Sequence, residues 1–318
     1  MRRCRRSSQS TDTTRTVSPQ AKGTPAPAGR AELAPTTARR RAQLRASTTA
    51  PRATPMQAAK RAATVLRSTQ PYLRRLSAQP TPPPKGAALN LYGYAICPFC
   101  HLVRAAARAV EAPVALTEVN PLTKAEIAFS EKHRKVPIAV FDTGDVVVES
   151  STIVDELLAR RPPSDDAFAG PDARHWASWA TADLATMMYP NITRTYAECR
   201  AALAYADDAF PPLSAFLVKH VGALGMSMAH GKIKQKYAID DEREALLARL
   251  DVWTAELGDR AFRGGDRPDL GDVAVFGVLG AVAGLPARGD VVAARPAVGA
   301  WLERMEESLP PLAVVAGA

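Results

Sequence analysis

Residues 91–100 read Leu91-Tyr-Gly-Tyr94-Ala-Ile-Cys97-Pro98-Phe99-Cys100, an aromatic and apolar run that ends in two cysteines. Tyr92 to Ile96 has the composition of a buried strand, while Val103 to Val110 (VRAAARAV) is rich in Ala and Arg and predicts helix. Cys97 therefore falls at a strand-to-helix turn, with Pro98 at the first helical position, where a missing N–H costs nothing. The unpaired N–H groups of that turn point towards the Cys97 sulfur and favour the thiolate, which is the attacking species. Cys100, one turn on, is placed to resolve a mixed disulfide. The same pair could be half a zinc site or two inert core thiols. Cys4 and Cys199 have no paired spacing, so thiol chemistry is favoured and no metal is expected.

Outward from this stretch, 318 residues suffice for two domains, and the net charge of +9 is unevenly spread. Residues 1–88 hold eighteen Lys or Arg against two acids, Asp12 and Glu32, whereas the rest of the chain is net acidic. That balance argues against a nucleic-acid-binding core. The basic extension is rich in Ser, Thr, Ala and Pro, and residues 1–88 are expected to be disordered and to act in targeting. Mitochondrial import is favoured over plastid, and Met56 to Leu76 could form a basic amphipathic helix on a membrane surface. No run reaches the roughly 18 apolar residues of a membrane span. The longest, Val273 to Ala287, predicts a buried helix.

Downstream of the cysteines, Pro113 to Val119 predicts a second strand and Thr123 to Lys132 a helix with Ile127 and Phe129 inward. Val136 to Phe141, the turn Thr143-Gly-Asp145 and Val146 to Val148 form a hairpin pattern. Ser150 is expected to N-cap a helix over Thr152 to Arg160. The order β-α-β-α-β-β-α covers residues 89–161, residues 162–171 read as linker, and residues 172–310 are helical throughout. Trp176, Trp179, Leu184 and Met187 share one helix face that Pro190 breaks. Leu213 to His230 predicts another helix, as does Glu242 to Leu257 with Leu246, Leu250, Trp253 and Leu257 inward. Asp269, with Asp272 three residues on, predicts a capping box at the start of the Val273 helix. The fold class is α/β plus all-α.

This order, with Cys-Pro-x-Cys at the first helix and Val136-Pro137 before the hairpin, resembles the thioredoxin fold as glutaredoxins and glutathione transferases use it. The resemblance implies a cis Pro137 facing Cys97 and a Val136 backbone free to pair with glutathione. It also implies that Glu149 and Ser150 hold the γ-glutamyl end. Further blocks narrow the likeness to the membrane-associated prostaglandin E synthases of type 2. They include Glu118-Val-Asn-Pro121, Arg134-Lys-Val-Pro-Ile138, and Tyr189-Pro-Asn191 with Arg194-Thr195.

That resemblance implies a thiol-dependent isomerase of lipid endoperoxides, with Cys97 as catalytic thiol, Tyr94 its hydrogen-bonding neighbour, and Cys100, Phe99 and Val136 as site wall. Glutathione or another thiol is the implied reductant, haem a further ligand, and a homodimer with peripheral membrane association the implied assembly. A glutaredoxin-like oxidoreductase and a glutathione- or haem-binding protein are the alternatives. The chain departs from the pattern at three places: a short segment between Ser151 and Trp176, Glu149 where the family has Asp, and Lys232, Lys234 and Lys236 where arginines are usual. A lysine does not replace a bidentate arginine. His101 is expected to face solvent, and His175 and His230 to have no ligand role.

Overall fold

Leu89–Gly93 (β1) is an apolar strand buried along its whole length, and it pairs on both sides. In the computed structural model, which describes residues 79–316, β1 lies parallel to Val114–Glu118 (β2) and antiparallel to Ile138–Phe141 (β3); β3 pairs antiparallel with Val146–Val148 (β4). The sheet order is β2-β1-β3-β4. Expectations for residues 1–78 of the extension, including the Met56–Leu76 helix, lie outside the described residues, whereas residues 79–88, expected to be disordered, are tied to the sheet through Thr81.

The strand ends earlier than its composition predicts. β1 stops at Gly93, residues 94–97 form a turn in which Cys97 N–H donates to the Tyr94 carbonyl at 3.1 Å, and helix α1 spans Pro98–Ala109. The helix expected over Thr123–Lys132 is reduced to a single 3-10 turn, Ala125–Ile127. Lys124 is left-handed (φ 51°), and the Asn120 side chain accepts from the N–H groups of Leu122 and Thr123, which ties the segment into a turn instead. Ile127 is nevertheless fully buried, and Phe129 meets Tyr92 edge-on at 5.2 Å. The hairpin forms as expected. Ser150 is not an N-cap: it is the first residue of helix α2 (Ser150–Arg160), and Glu149 occupies the cap position at φ 67°.

The helical part opens with α3 (Pro171–Trp179), a widened π turn over 180–184, and α4 (Ala185–Ile192). Pro190 does not break this rod. The irregularity falls upstream, in the π turn, and the chain runs helically through Pro190 to Ile192. Short helices α5 (Tyr196–Ala202) and α6 (Ala206–Ala209) precede a second rod, α7 (Pro212–Leu217), a π turn over 218–222, and α8 (Ala223–Lys236). The rod thus extends past the predicted end at His230. Helix α9 (Glu242–Leu257) buries Leu246, Leu250, Trp253 and Leu257, the face its periodicity predicts.

Asp269 and Asp272 form the reciprocal capping box of α10 (Leu270–Gly280), and Trp301 Nε1 donates to Asp272 Oδ1 at 3.1 Å. The apolar run does not stay helical to Ala287: it turns after Gly280, with Gly284 at φ 74°, before α11 (Pro286–Ala294) and α12 (Pro296–Ser308). No helix among the described residues is long and apolar enough to cross a membrane.

Helix α10 is the joint of the fold. A Cβ on Gly277 would sit 2.7 Å from the Leu102 Cα, so α10 lies directly on α1 without an intervening side chain. Trp176, Trp253 and Trp301 contact edge-to-face at 5.6 and 5.2 Å behind it. After α12 the chain returns to the sheet. Val114 N–H donates to the Ala313 carbonyl at 2.9 Å and Val315 N–H to the Val114 carbonyl at 2.8 Å, forming a parallel bridge on the outer edge of β2. Arg108 fixes this return by donating to the carbonyls of Leu309 and Pro310 and to the Glu306 carboxylate.

Candidate active site

Sheet register gathers the predicted residues at one end. Gly93 pairs with Glu118 in the parallel ladder, Tyr92 with Ile138, and Ile138 with Val148. The ends of β1, β2 and β4 and the start of β3 therefore share an edge, which carries Tyr94 to Cys97, Glu118, Val136-Pro137 and Glu149-Ser150. The Val136-Pro137 peptide is cis, as the resemblance implies.

Cys97 is the N-cap residue of α1 and half-buried; Cys100 is fully buried, and both are free thiols. Gly93 makes room for this arrangement, since a Cβ there would lie 2.7 Å from the Cys100 sulfur. The Cys97 thiol is held below its ordinary pKa, first by the hydrogen bond from the Cys100 thiol, then by the N–H groups of Cys100 and Phe99 and the Arg104 charge, which outweigh burial. Those amides face the sulfur without closing a full capping bond. Burial drives the Cys100 thiol the opposite way, well above its usual range, and the bond to Cys97 adds to it. One thiol is set for attack and the other to keep its proton.

Around the thiols stand three groups from separate elements. Tyr94 packs against the buried cluster of Tyr92, Ile127 and Ile138, and burial, with the neighbouring Cys97 charge, pushes its hydroxyl up to about 12. Its link to Cys97 runs through the backbone carbonyl; among the described residues its hydroxyl makes no hydrogen bond. Glu118, at the end of β2, accepts from Ala95 N–H at 2.8 Å, and burial raises its carboxyl to about 7 against the downward pull of that bond and of Arg104. Tyr205 arrives from the turn after α5. Its buried hydroxyl has no hydrogen-bond partner among the described residues, and burial followed by the Glu118 charge raises it strongly.

The other predicted residues take supporting positions. Phe99 is half-buried against the main core, and Val136 against the Tyr92 cluster. Ser150 is buried, while Glu149 is exposed, 3.6 Å from His133 Nδ1, in a left-handed backbone that a non-glycine residue adopts only when its surroundings hold it.

His101 does not face solvent. Its Nε2 contacts the Ala95 carbonyl at 2.7 Å, and burial lowers its pKa to about 4, so it is neutral at pH 7. His230 Nδ1 meets Thr193 Oγ1 at 2.9 Å, and His175 lies edge-on to Trp176 at 6.0 Å.

Two of the three lysines that stand where the resemblance has arginines are already engaged. Lys234 is taken up by Glu242 at 2.6 Å and the Asp240 carbonyl at 2.8 Å, and Lys236 lies over the Tyr237 ring. Sequence reasoning overlooked Glu118 and Tyr205 as site groups. The motif Glu118-Val-Asn-Pro121 does not by itself signal a role for its carboxyl, and nothing local to Tyr205 signals that it lies near the thiols.

A thioredoxin-like sheet with a cysteine at its first helix N-terminus, joined to a helical domain, defines a protein of the glutathione-transferase type. Residues 91–165 match the family model for the glutathione S-transferase N-terminal domain, and residues 236–304 that for the C-terminal domain. More narrowly, the chain belongs to the prostaglandin E synthase 2 family. It is 31% identical over 283 residues to Prostaglandin E synthase 2 of Mus musculus, spanning 73% of this chain and 73% of the relative. The Danio rerio relative of the same name is 30% identical over 268 residues, spanning 69% and 71%. Among solved structures, the beta-etherase LigF from Sphingobium sp. strain SYK-6 aligns with 71% of this chain and 97% of its own at 18% identity and a TM-score of 0.49.

Proposed function

We propose that this chain is a thiol-dependent isomerase of lipid endoperoxides, converting a prostaglandin H2-type substrate to the prostaglandin E2-type ketone. That the relatives are prostaglandin E synthases supports the substrate class. What supports the chemistry is Cys97 at the N-terminus of α1 with Glu118 held at 2.8 Å on Ala95 N–H of the same turn, the thiol lowered from its ordinary pKa and the carboxyl raised to about 7.

In the proposed reaction the Cys97 sulfur attacks one oxygen of the weak O–O bond. An S–O bond forms, the O–O bond breaks, and the second oxygen leaves as an alkoxide that takes the Glu118 proton. The carbon bearing the sulfur-bound oxygen then loses its proton to the Glu118 carboxylate. Its electron pair forms the carbonyl, the S–O bond breaks, and sulfur recovers its thiolate. Substrate and product are isomers, so no outside oxidant is consumed. The Tyr94 hydroxyl is a second donor to the developing alkoxide.

Glutathione pairs with the Val136 backbone, with Glu149 and Ser150 at its γ-glutamyl end, and two molecules of it return any Cys97–Cys100 disulfide to the dithiol. A second reading, thiol–disulfide oxidoreductase, draws on the high-pKa Cys100 bonded to Cys97.

The test compares the full chain with Cys97→Ser, given prostaglandin H2 and glutathione. Prostaglandin E2 above the non-enzymatic background, lost in the variant, is expected. Wild type at background sinks the isomerase reading, and turnover of a glutathione mixed disulfide by the same sample would move the assignment to the second.

A further inference from the structure

A cavity of about 220 Å³ opens between α1 and α10, lined by Arg104, Arg108 and Arg288. Its single carboxylate, Glu306, is taken at both oxygens by Arg108, whose Nε also has an acceptor. That is how a structural arginine is satisfied. The other two are not. Arg104 Nε is buried without a hydrogen-bond partner, and the half-buried Arg288 side chain makes no hydrogen bond among the described residues. The neighbouring His101 adds no positive charge, being neutral with its Nε2 on the Ala95 carbonyl. Two forked guanidinium groups thus line one small cavity with no hydrogen bond to its only carboxylate, Glu306, which reaches Arg288 through its charge alone, an arrangement suited to bidentate contact with an added anion. Burial holds the Arg288 guanidinium below its usual range, against the opposing pull of the Glu306 carboxylate.

We propose that this cavity binds a small phosphate-class oxyanion, free or as a phosphomonoester, held between Arg104 and Arg288. The site has a route to the thiols. Arg104 is one of the charges that lower the Cys97 pKa, and an anion paired with it weakens that influence. Bound anion is therefore expected to weaken the bias of Cys97 towards thiolate.

The experiment uses the full chain at constant ionic strength, with chloride exchanged for inorganic phosphate in one arm and for glycerol phosphate in the other. Binding is read by calorimetry and by thermal midpoint, independently of any isomerase activity. Saturable binding in either arm is expected, and the tighter arm identifies the free ion or the monoester. Arg288→Ala weakens it by roughly tenfold or more, the loss of one charge-assisted contact. Should that variant fail to fold, Arg288→Lys keeps the charge, loses the fork, and is still expected to bind several-fold more weakly. Alkylation of Cys97 by iodoacetamide slows with the same midpoint in wild type. The absence of saturable binding, equal binding by wild type and Arg288→Ala, or equal slowing in both overturns the proposal.

Discussion

Glu118 shows how one residue acquires a property its sequence position does not announce. In an unfolded chain its carboxyl ionises near 4.5; in the fold burial carries it to about 7. The folded state holds that proton more tightly, so the associated stability is fully present below pH 4.5 and is lost as pH rises towards 7, by about 3 kcal/mol in all. Glu118→Gln keeps an oxygen for Ala95 N–H and removes the titration. Denaturant unfolding between pH 4.5 and 8 is therefore expected to show a shallower fall in the variant; parallel curves would place the titrating group elsewhere. Cys97 and Cys100 were legible because thiols three apart beside a proline bear their chemistry in their identity and spacing. Glu118, Tyr205 and Arg104 were not, since their roles come from burial and from neighbours distant in sequence.

At the scale of elements, periodicity predicted α9 to the residue and failed over Thr123–Lys132. The difference is physical: α9 presents a continuous apolar face to the core, whereas side-chain capping by Asn120 and a left-handed Lys124 hold the other segment in a turn. The close seat of α10 on α1 was also invisible, because a glycine in an apolar run does not say what it touches. Two substitutions separate contact from propensity. Gly277→Ala drives a Cβ into the Leu102 backbone and is expected to cost about 1–3 kcal/mol. Gly289→Ala, in α11, meets nothing within 4 Å and is expected to stabilise by about 0.5–1 kcal/mol. Urea midpoints measure both, and a stabilising Gly277→Ala would show that the helices can part at no expense.

For the whole molecule, composition separated a basic extension from a net acidic remainder, and the wide spacing of tryptophans gave no sign that Trp176, Trp253 and Trp301 meet. The boundary at residue 88 also misses contacts that the folded part uses. Thr81 N–H donates to the Tyr92 hydroxyl at 3.0 Å, and Asn90 Nδ2 donates to the Thr81 carbonyl at 3.3 Å. A chain beginning at residue 79 keeps the Thr81 contacts and serves as the reference. One beginning at residue 88 is expected to lose about 1 kcal/mol or more. Equal midpoints for the two truncations would make Thr81 a bystander.

The bridge of Val314 onto Val114 gives this fold a schedule. A ribosome makes β2 early and residues 313–315 only after the entire helical domain, so the outer edge of the sheet stays open throughout the intervening synthesis. A nascent chain stalled before Ala313 would expose backbone donors and acceptors of β2 to any passing strand, and a chaperone that covers sheet edges would find its binding window there.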